Sequence, residues 1–247
     1  MGYLSSQLSI ANSLPTIESA PFLNKRLKRL DMSLLVEIAL VTTAAILAIR
    51  TSAISSISKS AWVVAPGILV AAAIIPTAVK RGEFAKIGFN IRQIRHSLVV
   101  LGWTCVVVFP LTFCSLWLLK SYGLELPLRP VLPQGQVWVY WLFYQFMYVA
   151  VAEEVFFRGY VQSNILRLTN PVMSKLPKLQ QWTCIVISAA VFAVAHIIIQ
   201  GKIISVLTFL PGLILGWLLI RTKSLLAPIL FHGLANTFYY ALAGVLA

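Results

Sequence analysis

The chain has 247 residues, of which 59% are hydrophobic and 11% charged, whereas an ordinary soluble domain carries about a quarter of charged residues. That composition excludes a typical soluble enzyme and implies a polytopic membrane protein. The formal charge of +13 would suit a nucleic-acid partner if the bases shared one polar face, but the lysines and arginines stand in short segments between apolar runs. They read as topology signals and contacts to anionic lipid, and no nucleic acid is expected.

Residues 1–24 are Ser-rich and weakly patterned, and Lys25, Arg26, Lys28 and Arg29 lead into a first apolar run at 34–49. Arg50 ends that run where a cleavable signal peptide would carry small residues, so an uncleaved signal anchor is expected. Further apolar runs follow at about 61–79, 97–119, 136–160, 182–199, 203–220 and 225–246, each near the ~20 residues that cross a bilayer. The fold class predicted is therefore all-α, a transmembrane helix bundle of about seven spans. Only Gln200, Gly201 and Lys202 separate the fifth and sixth runs, which demands a tight helical hairpin. Pro66, Pro76, Pro110, Pro211 and Pro228 sit in or at the ends of spans, where neighbouring helices can satisfy the freed carbonyls.

With the N-terminus placed in the cytoplasm, 14 lysines and arginines fall on that side against 5 on the other, Arg158 being counted as intramembrane. The bias predicts N-terminus in and C-terminus out, with the basic cytoplasmic loops against anionic lipid. The stretch 80–96 alternates bases with Phe84, Ile87, Phe89, Ile91 and Ile94, the pattern of a short helix at the interface. The chain then divides into a polar and basic segment at 1–33, N-terminal spans with an interfacial loop at 34–135, and a core at 136–247. Cys105, Cys114 and Cys184 lie in apolar runs without ligand spacing and read as small core residues.

The most informative residues are Glu153 and Glu154, two of only seven acids in the chain, both inside the fourth apolar run. A carboxylate at a helix centre costs roughly 2.5–3.5 kcal/mol on insertion scales, so an intramembrane acid is a functional-site hypothesis by default. On an α-helical period Arg158 lies one turn beyond Glu154 and can pair with it, while Glu153 points about 100° away and stays chemically available. His196 and His232 also lie in apolar runs, the second with Asn236 one turn after it. His96, in a basic loop, reads as a solvated surface residue.

A glutamate can take a proton from water, and His and Asn side chains can donate to a developing oxyanion. Together they suit hydrolysis of an amide or ester. There is no G-x-S-x-G, no recognisable Ser or Cys nucleophile and no H-E-x-x-H. No cofactor is expected on the leading reading, although His, His and Glu is also a set that holds zinc.

Three segments now resemble a known family: EEVFFR at 153–158, FAVAH at 192–196 and HGLAN at 232–236 are similar, in order and on separate helices, to the E-E-x-x-x-R, F-x-x-x-H and H-x-x-x-N/D motifs of the CPBP intramembrane proteases. These are the CAAX prenyl endopeptidases and bacteriocin-processing proteins, and the resemblance covers about 136–240. It implies a catalytic core in the last four spans, with Glu153 activating water and Glu154 and Arg158 supporting it. By the same resemblance His196 would position or protonate, and His232 with Asn236 would stabilise the oxyanion. The family is described as glutamate-type, with an older metalloprotease view. EEVFFRGYVQ further resembles the branch that cleaves C-terminal sorting signals of exported bacterial proteins, which would place the chain in a bacterial inner membrane.

The function expected is thus an intramembrane endopeptidase acting near the C-terminus of a membrane-associated protein or peptide. A proton-coupled transporter and a non-catalytic scaffold are the alternatives, since intramembrane Glu, His and Arg also build proton relays. If the spans were straight and flush with the bilayer, His196 and His232 would lie near opposite ends, so a shared site requires offset or tilted helices.

Overall fold

A computed structural model describes residues 21–54, 61–79, 93–125, 137–169 and 177–246, and those residues form helices, of which the last three are joined by short turns. In chain order they are α1 (Pro21–Ile54), α2 (Ala61–Val79), α3 (Ile94–Ser121), α4 (residues 137–169), α5 (Lys178–Gln200), α6 (Ile203–Thr222) and α7 (Leu226–Leu246). The seven helices coincide with the seven apolar runs. Five contain stretches long and apolar enough to cross a membrane: Met32–Ala53, Ile94–Ser121, Lys178–Gln200, Ile203–Thr222 and Leu226–Leu246, while α2 contributes the shorter Val64–Val79. The chain is an integral membrane protein.

Helix α1 begins at Pro21, well before its apolar run, so the basic cluster at 25–29 continues the helix instead of preceding it. Most of the expected interfacial helix, 80–92, lies outside the described residues, as do 1–20. His96 is exposed in the first turn of α3, as expected, with Nε2 3.3 Å from the carbonyl of Arg221. Among the cysteines only Cys184 is buried. Cys114 faces outward with Leu111, Trp117 and Leu118, because most of α3 presents its apolar side chains to the surroundings, where lipid replaces a protein core.

The α5–α6 hairpin forms as the short linker demands. Gly201 takes a left-handed conformation (φ 65°) that only glycine adopts freely, and its N–H caps Ile197 O at 2.9 Å. Arg50, at the end of α1, donates to Ile199 O at 3.2 Å, setting a cation against the carbonyl end of α5. The two arms approach closely: a Cβ on Gly212 would stand 3.1 Å from the Ala189 Cβ. Residues Ile203–Thr208 are 3-10 helical before α6 becomes α-helical at Phe209.

Buried apolar residues gather into two clusters. One joins α1, α2, α4 and α5 through Ile46, Ala73, Phe156, Val161 and Ala195. The other joins α3, α6 and α7 through Leu101, Leu215, Leu218 and Phe231. Glu154, Arg158 and Gln162 of α4 reach from the first group of helices to α6 and α7 of the second.

Candidate active site

Helix α4 is not uniformly α-helical. Tyr144–Ala150 and Val155–Gln162 are π-helical, and the α-helical turn Val151–Glu154 between them carries both glutamates. A π stretch bonds i to i+5 and so admits an extra residue per turn, which re-aims the side chains that follow, and such stretches are frequent at functional sites. Here every residue of Val155–Gln162 is buried, so the segment sits inside the bundle and needs a polar partner for each polar group it carries.

Glu154 and Arg158 are both 0% exposed and pair at 3.1 Å, Nη1 donating to Oε1. Arg158 Nη2 also donates to Gly212 O on α6 at 3.3 Å, and its guanidinium lies 4.4 Å from the ring centroid of Phe192 on α5. Gly212 can present its carbonyl this close because α6 packs on α5 without a side chain in the way. Below the pair, Ser188 of α5 donates to Phe157 O at 3.1 Å and Gln162 donates to Gly216 O at 3.0 Å. Both bonds hold α4 in register with the hairpin.

His232 bridges the two glutamates. Its Nδ1 donates to Glu154 Oε1 at 2.8 Å, and its Nε2 stands 3.8 Å from Glu153 Oε2. The same Glu153 oxygen lies 3.8 Å from His196 Nε2. His196 is oriented from behind, because its Nδ1 donates to Phe192 O at 2.9 Å and leaves Nε2 facing the carboxylate. The Phe192 ring packs between the imidazoles, with centroids 4.3 Å from His196 and 6.1 Å from His232. Glu153 Oε2 is itself buried and accepts no hydrogen bond. At 3.8 Å the imidazoles are beyond direct hydrogen-bond reach, a spacing that a small molecule between them can bridge.

Five of the six residues singled out in the sequence, Glu153, Glu154, Arg158, His196 and His232, therefore join in one chain of contacts. His196 lies a turn from the end of α5 and His232 near the start of α7, so their meeting on one oxygen displaces these helices along their axes, as the sequence required. Asn236 stands a turn beyond His232 and is held from another quarter, with Nδ2 donating to Gln145 Oε1 at 2.9 Å. Gln145 was not legible as a site residue, although a carboxamide in the run WLFYQFMYVA is a weaker form of the signal that exposed the glutamates. Glu37 is a second omission: it lies within the first apolar run, and Tyr160 donates to its Oε1 at 3.3 Å, tying α1 to α4. Among the described residues, no group of three or more His, Cys, Asp or Glu has an arrangement that could hold a metal ion.

The fold and the site define an all-helical membrane protein with acid, imidazole and carboxamide groups gathered in the bundle interior. Residues 135–238 match the family model described as type II CAAX prenyl endopeptidase Rce1-like, a likeness consistent with the CPBP family. The match supports a protease, a peptide hydrolase in general. No curated protein and no solved structure matches the chain.

Proposed function

We propose that the chain is an intramembrane endopeptidase in which Glu153 activates water to cut a peptide bond near the C-terminus of a membrane-associated protein or peptide. The observation that carries this reading is the inequality of the two glutamates. Glu154 is committed to Arg158 and His232, while Glu153 presents an oxygen with no hydrogen bond to two imidazole nitrogens. Only an uncommitted carboxylate can take up a proton during the reaction.

In this mechanism water sits between Glu153 and the imidazoles. Its oxygen bonds to the scissile carbonyl carbon while its proton passes to Glu153. The carbonyl oxygen becomes an oxyanion, for which His232 Nε2 and Asn236 Nδ2 are the donors, Glu154 balancing a protonated His232 through Nδ1. As the C–N bond breaks, the leaving nitrogen receives the proton from Glu153 or, through it, His196. One carboxylic acid and one amine are released, which ionise to carboxylate and ammonium. The family description makes a prenylated CAAX-type C-terminus the first substrate class to try, and C-terminal sorting signals of exported bacterial proteins the second. The cytoplasmic N-terminus and the contacts of basic loops with anionic lipid belong to this proposal too.

The test is mass spectrometry of membrane-protein C-termini from cells carrying the wild-type chain or Glu153→Gln, with an S-farnesylated CAAX peptide in liposomes as a defined probe. Loss of specific new C-termini in the variant is expected; identical sets in both would overturn the reading. Tight chelation should leave cleavage intact, and one zinc per chain whose removal and return carry the activity with it would instead make Glu153, His196 and His232 its ligands.

A further inference from the structure

We infer that Gln145 is a positioning residue of the site, which sets the carboxamide of Asn236 for the transition state. This rests on the protease reading and on Asn236 as an oxyanion donor within it.

Three observations converge on Gln145. Its side chain is buried to 9% exposure in a stretch of α4 that otherwise turns mostly aromatic and aliphatic groups outward; of Tyr144–Ala150 only Gln145 and Ala150 are buried. An uncompensated amide in such surroundings costs several kcal/mol, so a glutamine is retained there only with a partner. That partner is Asn236, 91 positions away on α7, at 2.9 Å. The third observation is backbone proximity: a Cβ on Gly233 would stand 2.4 Å from the Phe146 ring, so α7 rests on α4 right beside the pair.

The chemistry follows from the valence of a carboxamide. An Asn side chain has one acceptor and two N–H donors on a plane that turns about χ2, and without a fixed neighbour either end can face the reactants. With one Nδ2 proton held by Gln145 Oε1, the plane is fixed and the second N–H keeps one direction. His232 is fixed comparably, through Nδ1 on Glu154. The two donors proposed for the oxyanion are thus each held from α4, one by the residue next to the base and the other from two turns before it. Orientation set in advance is what makes such donors effective, because nothing has to reorganise as charge develops.

A double-substitution cycle on the purified full-length chain in liposomes tests this, using the peptide most strongly cut in the C-terminal survey. Gln145→Met keeps the length of the side chain but replaces the amide oxygen with a thioether, at most a weak acceptor. It should lower kcat about tenfold or more with KM little changed, less than the ~10²–10³ expected on removing the donor itself by Asn236→Ala. In the Asn236→Ala background Gln145→Met should have no further effect on kcat, since its whole action passes through Asn236. A Gln145→Met loss that persists undiminished in that background, or an unchanged kcat in Gln145→Met alone, overturns the assignment. If Asn236→Ala itself leaves kcat unchanged, or the wild type cuts no peptide, the underlying reading fails first and takes this one with it.

Discussion

The two π-helical stretches of α4 share one backbone and differ in almost everything around it. Val155–Gln162 is buried at every position, with Arg158, Gln162 and the carbonyl of Phe157 each bonded to the α5–α6 hairpin. Tyr144–Ala150 buries two residues and leaves Met147 and Tyr148 outside. The first stretch is an anchor: Arg158 Nη2, Gln162 Nε2 and the Phe157 carbonyl are each bonded to the hairpin, while Arg158 Nε and Gln162 Oε1 are buried without a hydrogen-bond partner. The second is the open side of the site and contributes a single buried polar group, aimed at Asn236. The short α-helical turn between them sets Glu154 on Arg158 and leaves the Glu153 Oε2 without a hydrogen bond, so neighbouring residues of one type acquire different surroundings. The comparison can be broken by substitutions that strike one side only.

The largest effect is expected at Glu153. Glu153→Gln keeps shape but cannot accept water's proton, so hydrolysis should fall by at least the ~10²–10⁴ assigned to a positioned base. Because Glu153 lies outside the anchor's hydrogen bonds, the melting temperature in detergent should be unchanged. Turnover near wild type in a well-folded variant would remove it as the base.

Arg158→Ala should do the reverse and strike stability as well as activity. It strands Glu154, at 0% exposure, as a buried charge, and breaking such a pair typically costs ~3–5 kcal/mol. Glu154→Gln combined with Arg158→Gln should recover much of the folding without recovering activity, since His232 would still lack its carboxylate. Additive losses in detergent melting would rule out the pairing.

The fold, and the gathering of most of the candidate residues into one place, were readable in the sequence for a physical reason. A bilayer demands long apolar runs, so seven helices announced themselves, and any charge inside a run stood out against them. The pair of Glu154 and Arg158 followed from spacing alone, because residues four apart stay neighbours although the π stretch opens at Val155, between them. What spacing could not supply was the π geometry, which arises from packing all round residues 155–162, or the bond between Gln145 and Asn236, which exists only once α7 lies on α4. Glu37 stayed hidden because it stands near the start of its span, where an acid interrupts the apolar pattern least. The helix boundaries shifted most at α1, where a basic cluster simply continues a helix.

Two glycines on opposite sides of the comparison should respond differently to the same small change. Gly233→Ala puts a methyl group into the Phe146 ring, 2.4 Å from its nearest carbon, on the open side. Relief is available there, since Phe146 lies in the outward-facing stretch of α4 and is only partly buried. The expected outcome is α7 displaced from α4, with the Gln145–Asn236 and Glu154–His232 bonds lengthened. Activity should drop about tenfold or more, as for a misplacement of up to an ångström, while the melting temperature changes little. A variant of full activity would show that the contact does not set the site.

Gly216→Ala, on the anchored side, is the smallest change and the most exposed to contrary forces. A Cβ there would meet Gln162 Oε1 at 2.9 Å and Ile185 Cγ2 at 3.2 Å, and Gln162 is tied to the carbonyl of Gly216 itself. Neither neighbour can give way into open space, because Ile185 and Gln162 are both buried. Overpacking of this kind costs typically ~1–3 kcal/mol, whereas replacing glycine by alanine within a helix gains up to ~1 kcal/mol. The net should be destabilising, with activity per folded molecule retained. Gly102→Ala supplies the measure of the helix term, since nothing stands within 4 Å of a Cβ at that position of α3. It should raise the melting temperature slightly while Gly216→Ala lowers it, and equal shifts in the two would mean that the buried half of α4 is no tighter than the lipid-facing helices around it.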